Sequence, residues 1–241
     1  MNPHNAVISR HSTSSDTRPH RHSDAYLALV LKGCYLESSI DGLWRCKPGD
    51  LIVHPPFHFH TNTFHGRSAV LNFQVTHSDA VKHDVLKYTV VRPRRPDILL
   101  SHDVDVVDVL AVLDTAVPVE QEGLSGWVAT MANELARNPR QRIADIAGQV
   151  SVSPAHASRS FGEQVSMSPA TFRSECRFKS AFHLLRHTGE TLSNIAHQCG
   201  YSDQAHFSRH VVSVSGLSPR KLREFFTAHQ ISSIPGAVAT Q

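Results

Sequence analysis

The chain has 241 residues, 40% hydrophobic and 19% charged, which leaves room for one large domain or two ordinary ones of roughly 100–200 residues. Its 12 Gly and 13 Pro show no period, so collagen-like, low-complexity and wholly disordered chains are excluded. The formal charge of +3 hides an asymmetry. Residues 1–123 hold 12 Lys/Arg against 14 Asp/Glu, whereas residues 124–241 hold 12 against 7, so only the second half suits a polyanion.

Residues 1–19 show no apolar period and read as a flexible arm. They also lack a signal-peptide core, and the apolar run Ala25 to Leu31 is far short of the ~20 residues of a membrane span. Cytoplasmic residence with no membrane partner is the expectation. From Ala25 the chain breaks into short strand-like runs: Tyr26–Leu31, Cys34–Ile40, Leu43–Cys46, Leu51–Val53, Phe57–Thr63, Ala69–Val75 and Tyr88–Val91. Asp41-Gly42 between two of them signals a hairpin. Such spacing predicts an antiparallel barrel or sandwich over residues 20–117. Phe57, Phe59, Phe64 and Phe73 read as its core aromatics. Val104, Val107, Leu110, Ala111 and Leu113 then fall at helical intervals, and their stripe suits either the barrel or a second subunit.

Residues 118–126 form the expected linker, and residues 127–229 read as helices throughout, with residues 230–241 as a tail. Trp127, Met131 and Leu135 open the series at i, i+4 and i+8. Two similar halves follow. In the first, Ile143, Ile146 and Ala147 form a buried face. Ser151-Val152-Ser153-Pro154 makes the turn, and Ser153 caps a second helix running to about Gln164. In the other, Leu192, Ile195, Ala196 and Cys199 form the face. Gly200 stops that helix, and Ser202 is expected to cap Asp203 to Val214. Thr171 to Arg186 links them as a rod of roughly 24 Å.

Two helix-turn-helix units point to double-stranded DNA, because a recognition helix offers its first turns to base edges in a major groove. With Phe161 inward, Ala155, His156, Ser158 and Arg159 face out. With Phe207 and Val211 inward, Gln204, Ala205, His206, Ser208 and Arg209 face out. Arginine pairs with guanine and glutamine with adenine, so Arg159, Arg209 and Gln204 are the base-reading candidates. His156 and His206 suit base or phosphate contacts.

These residues resemble the AraC/XylS family of bacterial transcription regulators. The resemblance is carried by Ile143-Ala144, Ser153, Arg159, Phe161, Arg177, Ala181, Leu184-Leu185, Ile195-Ala196, Gly200 to Gln204, His206 to Arg209 and Gly216-Leu217-Ser218-Pro219. It implies a two-unit DNA-binding domain joined to a ligand-sensing, dimerising one, with RNA polymerase as a further partner. Ala157 departs from the large apolar residue usual there. Gly162 costs its helix about 1 kcal/mol relative to Ala, and Val211 to Ser215 replace an aromatic and basic stretch. Weaker phosphate contact is expected from that last change.

The first half resembles the cupin β-barrel, through His20-Arg21-His22, Gly33, Pro48-Gly49-Asp50, Pro55-Pro56 and His60. That resemblance implies a metal set of His20, His22 and His60, with Tyr26 where such proteins carry a carboxylate; His54, His58 or His65 would complete it. Neutral imidazoles suit a divalent transition metal, the candidate cofactor. The alternative is a pocket for a small organic effector, lined by His20, His22, Tyr26, His58 and His60. The fold class expected is therefore α+β in two domains, a cupin-like antiparallel barrel plus helix and an all-α domain. The function expected is a regulator that senses a small ligand and is not an enzyme. Its rivals are a metal- or redox-sensing regulator, a cupin metalloenzyme and a structural nucleoid protein. Cys34, Cys46, Cys176 and Cys199 show no Cys-x-x-Cys spacing and read as reduced thiols, with Cys34 and Cys46 facing each other across the hairpin as the one redox candidate.

Overall fold

The computed structural model describes residues 6–12, 15–76, 79, 80, 83, 85–101, 104–124 and 126–232. The chain divides between Gly123 and Leu124 into two compact units.

The first unit is built on ten strands among the described residues: β1 (Ala6–His11), β2 (Ser15–Asp16), β3 (Tyr26–Lys32), β4 (Tyr35–Ser39), β5 (Gly42–Cys46), β6 (Leu51–His54), β7 (His60–Phe64), β8 (Ser68–Gln74), β9 (Thr89–Arg92) and β10 (Val117–Pro118). They form two sheets, β1-β8-β3-β6-β9-β10 and β2-β7-β4-β5, with every pairing antiparallel. The expected closed barrel is corrected to two separate sheets, with His20, outside the named strands, bridged to His60 of β7. Residues Ala28, Val30, Ile52, Val70 and Val90 of one sheet pack with Tyr35, Trp44, Cys46 and Phe64 of the other. On its opposite face the six-stranded sheet turns Leu27, Leu29, Leu51, Val53, Phe73 and Val91 toward helices α1 (Pro96–Ser101) and α2 (Val106–Leu113), which supply Leu99, Val109 and Leu110. Burial on both faces explains why β3 reads as a continuous apolar run rather than an alternation.

The flexible-arm reading fails for the residues described there, because β1 pairs with β8 from Ala6↔Phe73 to His11↔Ser68 and β2 pairs with β7. β1 is three apolar residues followed by three polar ones and β2 is two polar residues, so neither shows the alternation that marks a strand in sequence. The expected hairpin forms, but its turn is Ile40-Asp41 rather than Asp41-Gly42, because Ser39 pairs with Gly42, the first residue of β5. Helix α2 begins at Val106 rather than Val104, because Asp105 accepts from Val107 N and Asp108 N in a capping box. Of the expected stripe, Val104, Leu110 and Leu113 pack on the sheet, whereas Val107 and Ala111 are exposed. Gly49 adopts φ +89°, and a Cβ there would lie 2.7 Å from Pro96 Cβ, so the turn before β6 needs glycine.

The expected linker is partly docked. Val119 N donates to Val90 O at 2.9 Å, Glu122 N to Leu43 O at 2.8 Å, and Arg45 pairs with Glu122 at 2.9 Å. Residues 117–122 therefore belong to the first unit, and Ser125 lies outside the described residues.

The second unit comprises α3 (Gly126–Arg137), α4 (Ile143–Gln149), α5 (Pro154–Val165), α6 (Pro169–His187), α7 (Leu192–Gln198), α8 (Gln204–Ser215) and α9 (Pro219–Ser232). Helix α9 passes the boundary expected at residue 229, and residues 233–241 of the expected tail lie outside those described. Met131, Leu135, Ile146, Ala147, Ala157, Phe161, Ala181, Ile195, Phe207 and Val211 are buried in this unit. Burying a phenylalanine such as Phe161 or Phe207 contributes about 1.5–3 kcal/mol.

Candidate DNA-binding surface and the histidine cluster

Two helices of twelve residues each, α5 and α8, stand at the ends of two similar units. In the first, the Ser153 side chain accepts from His156 N, and Pro154 occupies the first turn, where its missing N–H costs nothing. In the second the cap is Asp203, not Ser202: Asp203 Oδ1 accepts from His206 N at 2.7 Å, while the Ser202 hydroxyl donates to Asp203 Oδ2 at 3.1 Å. Helix α8 therefore begins at Gln204 and ends at Ser215. The His206 N–H holds the Asp203 carboxyl below its ordinary range, with Ser202 adding to the effect.

From the caps onward the two units correspond at a fixed interval, Ser153 to Asp203, His156 to His206, Ala157 to Phe207, Ser158 to Ser208, Arg159 to Arg209 and Ser166 to Gly216. Ala157 and Phe207 are both fully buried, and Ser166 and Gly216 are both left-handed C-caps. The preceding turns differ by one residue. Ser151 (φ +57°) and Gly200 (φ +79°) take the same left-handed place, each followed by a residue that donates back to an alanine carbonyl, Val152 N to Ala147 O and Tyr201 N to Ala196 O. The cap lies two residues beyond Ser151 but three beyond Gly200.

Ala155, His156, Ser158 and Arg159 are exposed on α5, as are Gln204, Ala205 and Arg209 on α8; Ser208 and His206 are half-buried. His206 Nδ1 lies 3.1 Å from Ser202 Oγ and its ring packs edge-on against Tyr201. That contact restrains His206, whereas the only ring partner of His156 among the described residues is Trp127, at 5.5 Å. Helix α6 has 19 residues rather than 16 because Ser168 caps it ahead of Pro169, which makes it about 28 Å long. Its Arg177 donates to Pro139 O at 3.0 and 2.8 Å, and Arg173 to Gln141 O at 3.3 Å. These arginines hold the loop before α4. Ser174 of the same helix contacts His210 Nε2 at 3.1 Å, and Tyr201 contacts His210 Nδ1 at 2.9 Å. His210 thereby fastens α8 to α6, a role that the sequence reading missed.

The histidines of the first unit gather between the sheets. His54 and His60 are buried at the ends of β6 and β7, and His58 lies in the loop between them. The carboxylate absent at Tyr26 comes instead from Glu37 on β4, fully buried and 3.6 Å from His54 Nε2. Alternation along β4 was the available signal, since Glu37 shares a face with Tyr35. Burial drives the Glu37 carboxyl well above its usual range, with a nearby Tyr88 hydroxyl opposing. His54 and His60 are held well below the ordinary imidazole range, first by burial and then by neighbouring imidazoles. Glu37 Oε1 and His54 Nδ1 are buried with no hydrogen-bond partner among the described residues; each such atom costs roughly 1–3 kcal/mol.

The residues expected to line a pocket separate. A cavity of ≈ 450 Å³ is bounded by His20, His22, Tyr26 and His54 together with Asn62, Phe64 and Asn72, but not by His58 or His60. His20, His22 and His60 do converge with donor atoms within 4.8 Å of one another. His65 is exposed, and Phe57 and Phe59 are half-buried rather than core, unlike Phe64 and Phe73. All four cysteines are free thiols, Cys46 facing Tyr35 across β4 and β5 with its thiol raised by burial.

Paired capped helices with exposed arginines at corresponding places define two helix-turn-helix units. Residues 132–224 match the helix-turn-helix domain family. The chain is 34% identical over 80 residues to the HTH-type transcriptional activator RhaS of Klebsiella pneumoniae (strain 342), covering 33% of this chain and 29% of that protein. It is 33% identical over 79 residues to RhaS of Enterobacter sp. (strain 638), covering 33% and 28%. The chain thus spans less than a third of these curated relatives. Among solved structures, the C-terminal domain of AraT from Geobacillus stearothermophilus aligns with TM-score 0.42 at 24% identity over 43% of this chain and 88% of that one. ToxT from Vibrio cholerae aligns with TM-score 0.40 at 12% identity over 92% and 98%. Residues 132–224 thus carry a helix-turn-helix domain similar to that of the RhaS activators. No helix among the described residues is long and apolar enough to cross a membrane.

Proposed function

We propose that the chain is a sequence-specific transcription regulator, acting as a homodimer, that reads DNA with α5 and α8 and takes a small organic effector in the cavity of its first unit. The observation that carries this reading is the correspondence of Arg159 with Arg209 and of His156 with His206 on two capped helices. Bidentate arginine is the commonest specific partner of guanine, and two heads on one chain can enter successive grooves one duplex turn apart. Gln204, at the first position of α8, is the proposed adenine partner. For the dimer, Val107 (66% exposed) and Leu100 (41%) on α2 and α1 offer apolar contact to a second copy.

Selection of bound duplexes from a random library by the full chain tests the reading. A defined two-part site is expected, and Arg209→Ala should weaken binding to it by about 1–3 kcal/mol while relaxing preference at one base position. Enrichment of no sequence would refute the proposal, and equal weakening on every sequence would make Arg209 a phosphate contact.

An effector can alter DNA binding only by favouring one state of the protein over another. Residues 117–122, docked on the first unit and leading to Gly123, are where we place that coupling. The reading is of a binding protein, and no turnover is assigned to the histidines.

A further inference from the structure

The cluster around Glu37 shares His54 with the cavity wall and His60 with the His20, His22 and His60 set, but is a separate group of four donors. Glu37, His54, His58 and His60 each present a donor atom, all within 4.8 Å of one another, and the ligand loci come from both sheets and the loop between β6 and β7. A tetrahedral ion with bonds of about 2.0–2.1 Å needs donors about 3.3 Å apart, so the four must draw in only by side-chain movement of the order of an ångström. We propose that Glu37, His54, His58 and His60 form a buried binding site for one divalent transition metal ion of the zinc and nickel class.

The surroundings are those of a supported ligand set. His58 Nε2 lies 3.2 Å from Asp41 Oδ2, and donation to that carboxylate leaves Nδ1 as the lone-pair nitrogen. A carboxylate behind a metal-binding imidazole fixes both tautomer and ring orientation. Asn62, in the amide orientation that satisfies both its atoms, donates to Glu37 Oε2 at 2.7 Å, leaving Oε1 turned toward His54 without a partner. His60 Nδ1 lies 3.2 Å from His58 O; donation there directs the Nε2 lone pair toward the Tyr26 hydroxyl, 3.0 Å away, which the ion would displace. Stacking holds two rings in place, Tyr26 on His54 at 4.2 Å and Tyr88 on His58 at 4.1 Å. Three imidazoles and one carboxylate match zinc or nickel better than calcium or magnesium, which prefer oxygen. Of the three histidines His20, His22 and His60 that the cupin resemblance implies, the site shares His60 alone, and it takes both His54 and His58 from the residues offered to complete that set. His22 of that set is exposed.

The test is elemental analysis and Zn²⁺ titration of the full, untagged chain after chelator dialysis, beside Glu37→Gln, Asp41→Asn and the double variant His20→Ala, His22→Ala. We expect one equivalent in the native chain and in the double variant, an affinity at least about tenfold weaker in Glu37→Gln, and about 10–100-fold weaker in Asp41→Asn. Circular dichroism checks that each variant folds. A second readout needs no variant: in the Zn²⁺-loaded native chain His22 should remain open to acylation by diethyl pyrocarbonate. No bound ion in the native chain overturns the proposal, as does loss of the ion in the double variant or protection of His22 by one equivalent of Zn²⁺.

Discussion

Arg159 and Arg209 occupy the same place on helices of the same length, yet the ground beneath them differs. Phe207 fills the site under Arg209, whereas Ala157 stands under Arg159, and both positions are fully buried. Gly162 further loosens α5, and a Cβ there would meet nothing within 4 Å. Gly162→Ala should therefore raise the stability of the second unit by about 0.5–1 kcal/mol, read from urea unfolding; no change would mean that α5 is already rigid. At α8 the cap is ionic. Because Asp203 is held below its ordinary pKa when folded, chiefly by the His206 N–H, it binds a proton less readily in the folded than in the unfolded chain. Its stabilisation is complete above the unfolded carboxylate range and is lost as pH falls through the lowered folded value. Between about pH 6 and about pH 3, the thermal midpoint of the native chain should fall further than that of Asp203→Asn, which keeps the cap without the charge. Parallel curves would deny the carboxylate this role.

Among the elements, the turns before α5 and α8 form a natural experiment. Ser151 takes a left-handed conformation that glycine adopts freely, so Ser151→Gly should stabilise by a few tenths to about 1 kcal/mol. Gly200 cannot be exchanged so easily: a Cβ there would lie 2.8 Å from Arg140 Cγ and 3.4 Å from Arg177 Nε. Gly200→Ala should lower the thermal midpoint and weaken DNA binding through the position of α8, and an unchanged midpoint would show that Arg140 yields. These helices were legible in the sequence because capping residues and period 3.6 are local signals. The substitution of Asp203 for Ser202 as cap shows the limit, since both residue types cap well and only the extra turn residue decides between them. Strands β1 and β2 were not legible, their pairing being supplied by β8 and β7. Glu37 was overlooked for a related reason: its partners His54, His58 and His60 are separated from it by two turns of the chain. Spacing along a sequence reveals ligands that lie close together in the chain, such as His20 and His22 between β2 and β3, more readily than ligands gathered from two sheets.

Across the whole molecule, the two units carry separate cores, one of sheet and helix residues before Gly123 and one of helix residues after Leu124. A fragment of residues 124–241 should accordingly fold cooperatively and bind a selected site without the first unit, with weaker affinity if a dimer normally supplies two copies. A fragment without helical signal would show instead that the second unit depends on the first. The pairing of β1 with β8 carries a consequence for time rather than affinity. Ala6 meets Phe73 and His11 meets Ser68, so this outer strand closes a long loop, whereas each helix-turn-helix unit joins neighbours along the chain. Loop closure of that kind slows folding relative to local helix pairing. Refolding should then show the helical unit recovering ahead of the sheets, with β1 among the last segments to close over the cavity that it helps to line.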